Sequence, residues 1–194
     1  AKEARGEWLV FCDADSILMP YFIERVDQFI KQEQPSAFTT WFRPDSSVDK
    51  DAIFTLLSNL FIESMFLVKR PFPPGPLAVL RKDIFYMVGG YDESHQYNED
   101  MDLGLRLRKN GVSFLILRET LSVYSLRRFR QEGTLKVMQQ YIISILPVLF
   151  FGKALKSMPG YIMGGQNYVK KKLNKSMLKR LEQTISKFTN ELFE

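Results

Sequence analysis

The chain has 194 residues, of which 45% are apolar and 25% are charged, which is typical of a globular domain and excludes a disordered chain. Its single cysteine, Cys12, lies in an apolar run, so we expect a small buried side chain, no intramolecular disulfide and a reducing compartment. No signal-like start is present, and no apolar run approaches the roughly 20 residues that a membrane span needs.

The first predicted element is a strand over "WLVFC", residues 8–12, which Asp13 and Asp15 follow directly. A continuous apolar run with a polar stop predicts a strand buried on both faces, as in a parallel sheet. Ligands bind at the carboxyl ends of strands in open α/β sheets, which is where this D-x-D lies. Two carboxylates there suit Mg²⁺ or Mn²⁺ with a diphosphate, although the same spacing often marks only a solvated turn.

Three elements and a stiff loop are predicted next. Pro20 opens an amphipathic helix that ends near Pro35, and residues 37–42 form a strand. Residues 51–68 form a long apolar helix, which indicates core or interface because Asn59 and Glu63 interrupt it. The prolines of "RPFPPGP", residues 70–76, exclude regular structure there.

The stretch "LAVLRKDIFYMVGGYDES" predicts a short strand and a short helix that ends at Gly89 and Gly90, where glycine supplies a positive φ. The stretch "NEDMDLGLRLRKNG" predicts a helix with Asn98 as N-cap and Gly111 as stop. Its acidic residues lie in the first turn and its basic residues in the last, which matches the helix dipole. This dipole match explains Glu99, Asp100 and Asp102 without any function; the functional alternative makes Asp100 a proton acceptor for a hydroxyl.

The rest of the chain predicts two separate strands, "VSFLIL" and "LSVYS", and then a more helical, basic region. Residues 141–151 are too short to span a bilayer, and Pro147 is expected to break or kink them. Residues 170–192 predict a basic amphipathic helix. From Lys153 onward the sequence contains nine lysines and arginines but only three glutamates. This region suits a membrane interface, and equally a helix packed on the core or on a partner.

Taken together, "ARGEWLVFCDADSILMP", "LAVLRKDIFYMVGGYDES" and "NEDMDLGLRLRKNG" resemble, in order, the family 2 glycosyltransferases of the GT-A fold. The resemblance covers about residues 4–125. It implies an α/β fold, a partial GT-A (Rossmann-like) mixed sheet flanked by helices, with a helical, basic amphipathic extension. The expected division is residues 1–130 as the C-terminal portion of the GT-A domain and residues 131–194 as the helical tail. The family's first strands, which hold the nucleobase and ribose, have no counterpart here, so we expect the chain to start in mid-fold.

The resemblance also implies roles for individual residues. Asp13 and Asp15 would hold a divalent metal and the diphosphate of a nucleotide sugar, while Asp100 would be the base and Glu99 its neighbour. On the acceptor side lie Gly89, Gly90 and His95, and for His95 an exposed loop position is the simpler expectation. The segment "SLRRFRQEG" is similar to a degenerate Q-x-x-R-W motif of processive synthases, in which Arg127, Arg128 or Arg130 would reach the diphosphate.

The implied activity is inverting, metal-assisted transfer of a sugar from a UDP- or GDP-sugar to a hydroxyl of a glycan, polysaccharide or lipid-linked acceptor. The expected location is cytoplasmic, peripheral on a membrane face, and no nucleic acid is expected. Two alternatives remain open. One is a nucleotidyltransferase-like enzyme, and the other is an inactive truncated domain that binds membrane or a partner.

Overall fold

A five-stranded mixed sheet with strand order β1-β4-β3-β5-β2 organises the chain. The structure is a computed structural model that describes residues 1–158 and 161. The basic helix predicted over residues 170–192 lies outside these residues. In chain order the elements are β1 (Trp8–Cys12), β2 (Ile17–Leu18), α1 (Phe22–Glu33), β3 (Ala37–Pro44), α2 (Asp49–Leu67), β4 (Leu77–Arg81), α3 (Lys82–Met87), α4 (Glu99–Lys109), β5 (Phe114–Tyr124), α5 (Arg127–Glu132) and α6 (Thr134–Phe151).

Strand β1 has the predicted bounds but lies at an edge of the sheet, where in the described chain it pairs with β4 alone, antiparallel. The expectation of burial on both faces is therefore wrong. Leu9 and Phe11 pack into the core on one face, whereas on the other face only Trp8 reaches the cluster that α1 completes. Val10 is consequently 40% exposed, and Cys12 is exposed rather than buried.

Successive residues of β4 alternate between two cores on the two faces of the sheet. Ala78 and Leu80 join the cluster formed with α3 and α4, and Leu77 and Val79 join the one formed with α1. This alternation follows from the two-residue period of a strand. The prediction for α1 is confirmed, because its apolar residues Phe22, Val26, Phe29 and Ile30 all pack on the sheet.

Strand β5 is a single long strand, parallel to β3, where two strands were predicted. The prediction was wrong because the charged residues in its middle have partners outside the sheet. Arg118 forms an ion pair with Glu63 of α2, and Glu119 forms one with Arg25 of α1. Register shifts opposite Thr40 and Trp41 show that the ladder is irregular near this segment.

Helix α2 buries polar residues beside apolar ones, and it exposes several large apolar residues. Asn59 is buried, and its side chain exchanges two hydrogen bonds with the backbone of Phe42 on β3, as a neighbouring strand would. Glu63 accepts a hydrogen bond from Trp41 Nε1 at 3.0 Å. The residues that seemed to interrupt an apolar helix are thus its anchors, and its exposed apolar residues include Ile53, Leu56, Leu57 and Leu60.

Helix α6 packs beside α2 and likewise buries polar residues while it exposes large apolar ones. Its buried residues include Gln140 and Ser144, while Leu135, Met138, Ile142, Ile143, Leu146, Phe150 and Phe151 are exposed. The prediction was that Pro147 breaks or kinks this segment, and the helix continues through Pro147 without a break. The carbonyl that loses its helical donor belongs to Ile143, on the exposed side. Helix α6 has 18 residues and by length and composition alone could cross a membrane, so the expectation that no apolar segment approaches that length is wrong. Some core helices of soluble proteins have the same length and composition.

Candidate active site

Carboxylates from two distant segments meet at one backbone loop. Asp13 follows β1, Asp100 lies in the first turn of α4, and Gly75 belongs to the proline-rich loop between α2 and β4. A Cβ on Gly75 would lie 3.2 Å from Oδ2 of Asp13, and the backbone N–H of Gly75 donates to the carboxylate of Asp100. The structure therefore places the D-x-D beside the start of α4, about 85 residues further along the chain.

The loop at residues 70–76 can approach this closely because α4 carries a glycine where the two touch. A Cβ on Gly104 would lie 2.4 Å from the carbonyl oxygen of Pro71 and 2.6 Å from Cα of Phe72. No side chain fits at such distances without movement of the backbone. A glycine in the middle of a helix is the sequence signal for such close approach, and sequence reasoning did not use it.

The carboxylates repel one another, and Asp100 is partly shielded from water, whereas Asp13 and Asp15 are exposed. Loss of water, and then the charges of Asp15 and Glu99, raise the pKa of Asp13, although much of that residue is exposed. Loss of water is also the largest cause for Asp100, followed by the charge of Glu99, and together they raise its pKa to about 7. A backbone hydrogen bond from Met101 N–H, at 2.7 Å, opposes this shift without cancelling it. Asp100 can therefore exchange a proton near neutral pH.

The three arginines named from sequence have different surroundings. Arg127 Nη2 lies 3.3 Å from Oδ2 of Asp15, so this guanidinium is beside the D-x-D. Arg128 is half-buried and extends over the ring of Tyr161 at 4.3 Å, with hydrogen bonds to Glu132 and Gln140. Arg130 is held by Asp45, with one hydrogen bond of 2.9 Å.

Several tyrosines interact electrostatically with the carboxylates, and sequence reasoning missed them. Loss of water raises the pKa of each of Tyr91, Tyr124 and Tyr161, and Asp100, Asp13 or Glu99 contributes to each shift. For Tyr124 the pKa rises to about 12, and this residue is hydrogen-bonded to Tyr141 of α6. These tyrosines therefore remain protonated at neutral pH and interact electrostatically with the carboxylates. Only the position of Tyr91 after Gly-Gly was a local signal, since the others come from β5, α6 and residue 161.

The residues assigned to the acceptor side have structural partners. Gly89 and Gly90 have φ of +87° and +67°, which confirms the predicted helix end, and the carbonyl of Gly90 accepts from Arg106. His95 is buried, so the expectation of an exposed loop residue is wrong, because the carbonyl of Tyr97 and the carboxylates of Asp92 and Asp102 surround its ring. These three groups, and not Asp100, are its polar neighbours among the described residues.

Asn98 occupies the N-cap position of α4 as predicted, but its side chain does not cap the helix. Its backbone is left-handed, with φ of 56°, a conformation that asparagine tolerates. In this conformation its Nδ2 donates at 3.3 Å to the carbonyl of Ser144 on α6. Asn98 therefore links the start of α4, where Asp100 lies, to α6 by a hydrogen bond.

Two groups have donor atoms suited to a metal. Asp13 and Asp15 have Arg127 as their one ion-pair partner in the described chain, at Asp15. The donor atoms of Asp92, His95 and Asp102 lie within 4.8 Å of one another. However, Asp102 forms an ion pair with Arg106 at 2.7 Å, and Lys156 lies 3.8 Å from Asp92. Cations therefore already lie beside this second group, whereas Asp13 has no ion-pair partner among the described residues.

Three comparisons with known proteins agree on the type of protein. The sequence profile described as Glycosyl transferase family 2 matches residues 1–89. Succinoglycan biosynthesis protein ExoA of Rhizobium meliloti (strain 1021) is 44% identical over 50 residues, which are 26% of this chain and 15% of that protein.

The solved structure "Mannosyltransferase PcManGT from Pyrobaculum calidifontis in complex with GDP-Man and Mn2+" aligns with a TM-score of 0.55 and 17% identity. The alignment covers 79% of this chain and 42% of that one, and it confirms the predicted GT-A-like α/β fold. The chain thus spans less than half the length of each of these two relatives.

Proposed function

We propose that this chain, whose residues 1–89 match the profile described as Glycosyl transferase family 2, carries the acceptor-activating part of an inverting glycosyltransferase. The observation that supports this most strongly is the meeting of Asp13, Gly75 and Asp100. The donor in this proposal is a UDP- or GDP-sugar. The acceptor is a hydroxyl of a glycan, a polysaccharide or a lipid-linked sugar.

Asp100 is the proposed base. In the reaction the acceptor oxygen forms a bond to the anomeric carbon while the bond from that carbon to the diphosphate oxygen breaks. The acceptor proton goes to Asp100, and the bonding electron pair leaves with the nucleoside diphosphate. A pKa of about 7 suits this role, because such a carboxylate is ionised near neutral pH and still basic enough to hold a proton.

Asp13 and Asp15 are the proposed ligands of a divalent cation and, through it, of the donor diphosphate. They fit such an ion because they are paired oxygen ligands whose mutual repulsion contributes to the raised pKa of Asp13. When bound, Mg²⁺ or Mn²⁺ supplies Lewis-acid stabilisation of the leaving diphosphate. Arg127, beside Asp15, is placed to contact a phosphate oxygen by a charged hydrogen bond.

Donor binding separates these roles. In calorimetric titrations of the full chain with a GDP-sugar and a UDP-sugar in Mn²⁺, Asp13→Asn with Asp15→Asn should weaken binding by at least about tenfold. Asp100→Asn should leave donor affinity nearly unchanged, as should Asp27→Asn, an exposed carboxylate on α1 paired with Lys31. Donor affinity that is Mn²⁺-dependent and unaffected by the double substitution would contradict the assignment of the D-x-D.

We further propose that the chain lies peripherally on the cytoplasmic face of a membrane, through the exposed apolar surface of α2 and α6 defined above. Each of these adjacent helices buries both polar and apolar residues, and their exposed faces carry isoleucine, leucine and phenylalanine. Large exposed apolar patches mark interaction sites.

Sedimentation with neutral phosphatidylcholine vesicles tests the membrane contact. Leu57→Glu with Ile142→Glu should abolish sedimentation of the full chain, because both changes place a charge in the apolar surface. The matched control is Ile23→Glu with Met87→Glu, which places two charges at exposed apolar positions of α1 and α3. Equal sedimentation of the unmodified chain and of both variants would contradict this contact.

A further inference from the structure

A cavity of about 670 Å³ lies on another side of α4 from Asp100. Asp100 and Asp102 are two residues apart on the helix and so are separated by about 200° around its axis. Asp100 bonds Gly75, whereas Asp102 lines the cavity. We call this cavity the basic pocket, because its lining includes six cationic residues, Arg70, Arg106, Arg108, Lys109, Lys153 and Lys156.

Most of this positive charge has no partner among the described residues. Two carboxylates, Asp92 and Asp102, line the basic pocket. Asp102 binds Arg106, which also donates to two backbone carbonyls, and Asp92 lies 3.8 Å from Lys156. The remaining four cations, Arg70, Arg108, Lys109 and Lys153, form no ion pair within the described part of the chain.

Helix dipoles do not account for this excess. The carboxyl ends of α2, α4 and α6 all come to the basic pocket, since Arg70 follows α2, Lys109 ends α4 and Lys153 follows α6. Each helix end carries a partial charge of about −0.5, so three ends offset about 1.5 of the four unpaired positive charges. The rest would repel one another in the absence of an anion.

We propose that the basic pocket binds a phosphate group, either free or on the headgroup of an anionic lipid. Guanidinium groups bind phosphate oxygens in a fork and lysines bind them as point charges, and the basic pocket offers both from three segments. Its lining includes Gly152 and Lys153, which follow Phe150 and Phe151 at the end of α6, and these two aromatic residues are 75% and 76% exposed. A cationic cavity beside exposed aromatic residues fits a phosphate at a lipid surface.

The test uses the full chain and two probes, which are inorganic phosphate in calorimetry and vesicles of phosphatidylcholine with or without phosphatidylglycerol. Lys109→Glu with Lys153→Glu reverses two charges of the basic pocket. Lys2→Glu with Lys31→Glu reverses two charges elsewhere on the surface. We expect the basic-pocket pair to weaken phosphate binding by at least about tenfold, or to reduce by that factor the increase in vesicle binding that phosphatidylglycerol causes. The control pair should change neither quantity.

The two probes distinguish the source of the phosphate. Calorimetric binding of inorganic phosphate identifies a free-phosphate site, and binding seen only with phosphatidylglycerol vesicles identifies a lipid headgroup. Glutamine at both positions repeats the test if charge reversal disturbs folding. Asp13→Asn with Asp15→Asn should leave phosphate binding intact, which separates this site from the donor site. The proposal is overturned if the unmodified chain binds neither probe, or if the basic-pocket and control variants bind equally.

Discussion

Replacing Asp100 with asparagine should stabilise the fold at high pH while it removes the proposed base. Loss of water and the charge of Glu99 raise the pKa of Asp100 from 3.8 to about 7. At about 1.36 kcal/mol for each pKa unit, ionised Asp100 destabilises the folded chain by up to about 4 kcal/mol. Asparagine cannot ionise, but it loses part of the hydrogen bonding from Met101 and Gly75, about 1 kcal/mol. The expected net gain above pH 7 is about 2 to 3 kcal/mol.

The sign of this effect depends on pH in a definite way. Below pH 4 Asp100 is protonated in both the folded and the unfolded chain, so the substitution should change stability little. Between pH 4 and 7 the unfolded chain ionises first, and the advantage of asparagine grows to its full value. Thermal unfolding followed by circular dichroism should show a Tm gain of about 5 to 10 °C at pH 8.

Asp102→Asn is the matched control for this experiment, because the same change two residues further along α4 breaks the ion pair with Arg106. It should lower the Tm at pH 8. A Tm of the Asp100→Asn protein at pH 8 that lies below that of the unmodified chain would refute the argument. Such a result would mean that the folded state stabilises ionised Asp100.

Two further substitutions test the contacts that position the site. Gly104→Ala forces the loop at residues 70–76 away from α4, so the free energy of unfolding measured in urea should fall by about 1 to 3 kcal/mol or more, and donor binding should weaken. Gly6→Ala, where a Cβ meets only ordinary contacts, should change neither quantity. Asn59→Leu leaves the backbone N–H and C=O of Phe42 unpaired and should cost about 2 to 4 kcal/mol in urea unfolding, whereas a similar loss for exposed Leu60→Asn would contradict the anchoring role.

Elements whose signal is local were predictable from the sequence. The helical spacing of Phe22 and Val26 and the charge gradient from Glu99 to Lys109 each correspond to a helix observed in the structure. Features that depend on distant partners were not predictable. The charges of Arg118 and Glu119 interrupt a strand pattern, and only ion pairs with α2 and α1 allow β5 to continue through them. Asn59 likewise acquires its meaning from the backbone of β3.

The residues of the candidate site also fall into those that have a local sequence signal and those that depend on distant partners. Asp13, Asp15 and Asp100 were identified because each stands at a recognisable position, the end of a strand or the start of a helix. The tyrosines were missed because Tyr124 and Tyr141 approach the carboxylates only through the packing of β5 and α6. Gly75 was read as part of a stiff loop, and its contact with two carboxylates required the three-dimensional fold.

The nature of the released product tests the proposed function most directly. The full chain, incubated with Mn²⁺, a nucleotide sugar and a hydroxyl acceptor, should release nucleoside diphosphate, and Asp100→Asn should abolish this release while the donor still binds. Asp102→Asn, on the other side of α4, should retain activity wherever it remains folded. Release of pyrophosphate would instead indicate nucleotidyl transfer. Normal turnover by the Asp100→Asn protein would contradict the assignment of Asp100 as the base.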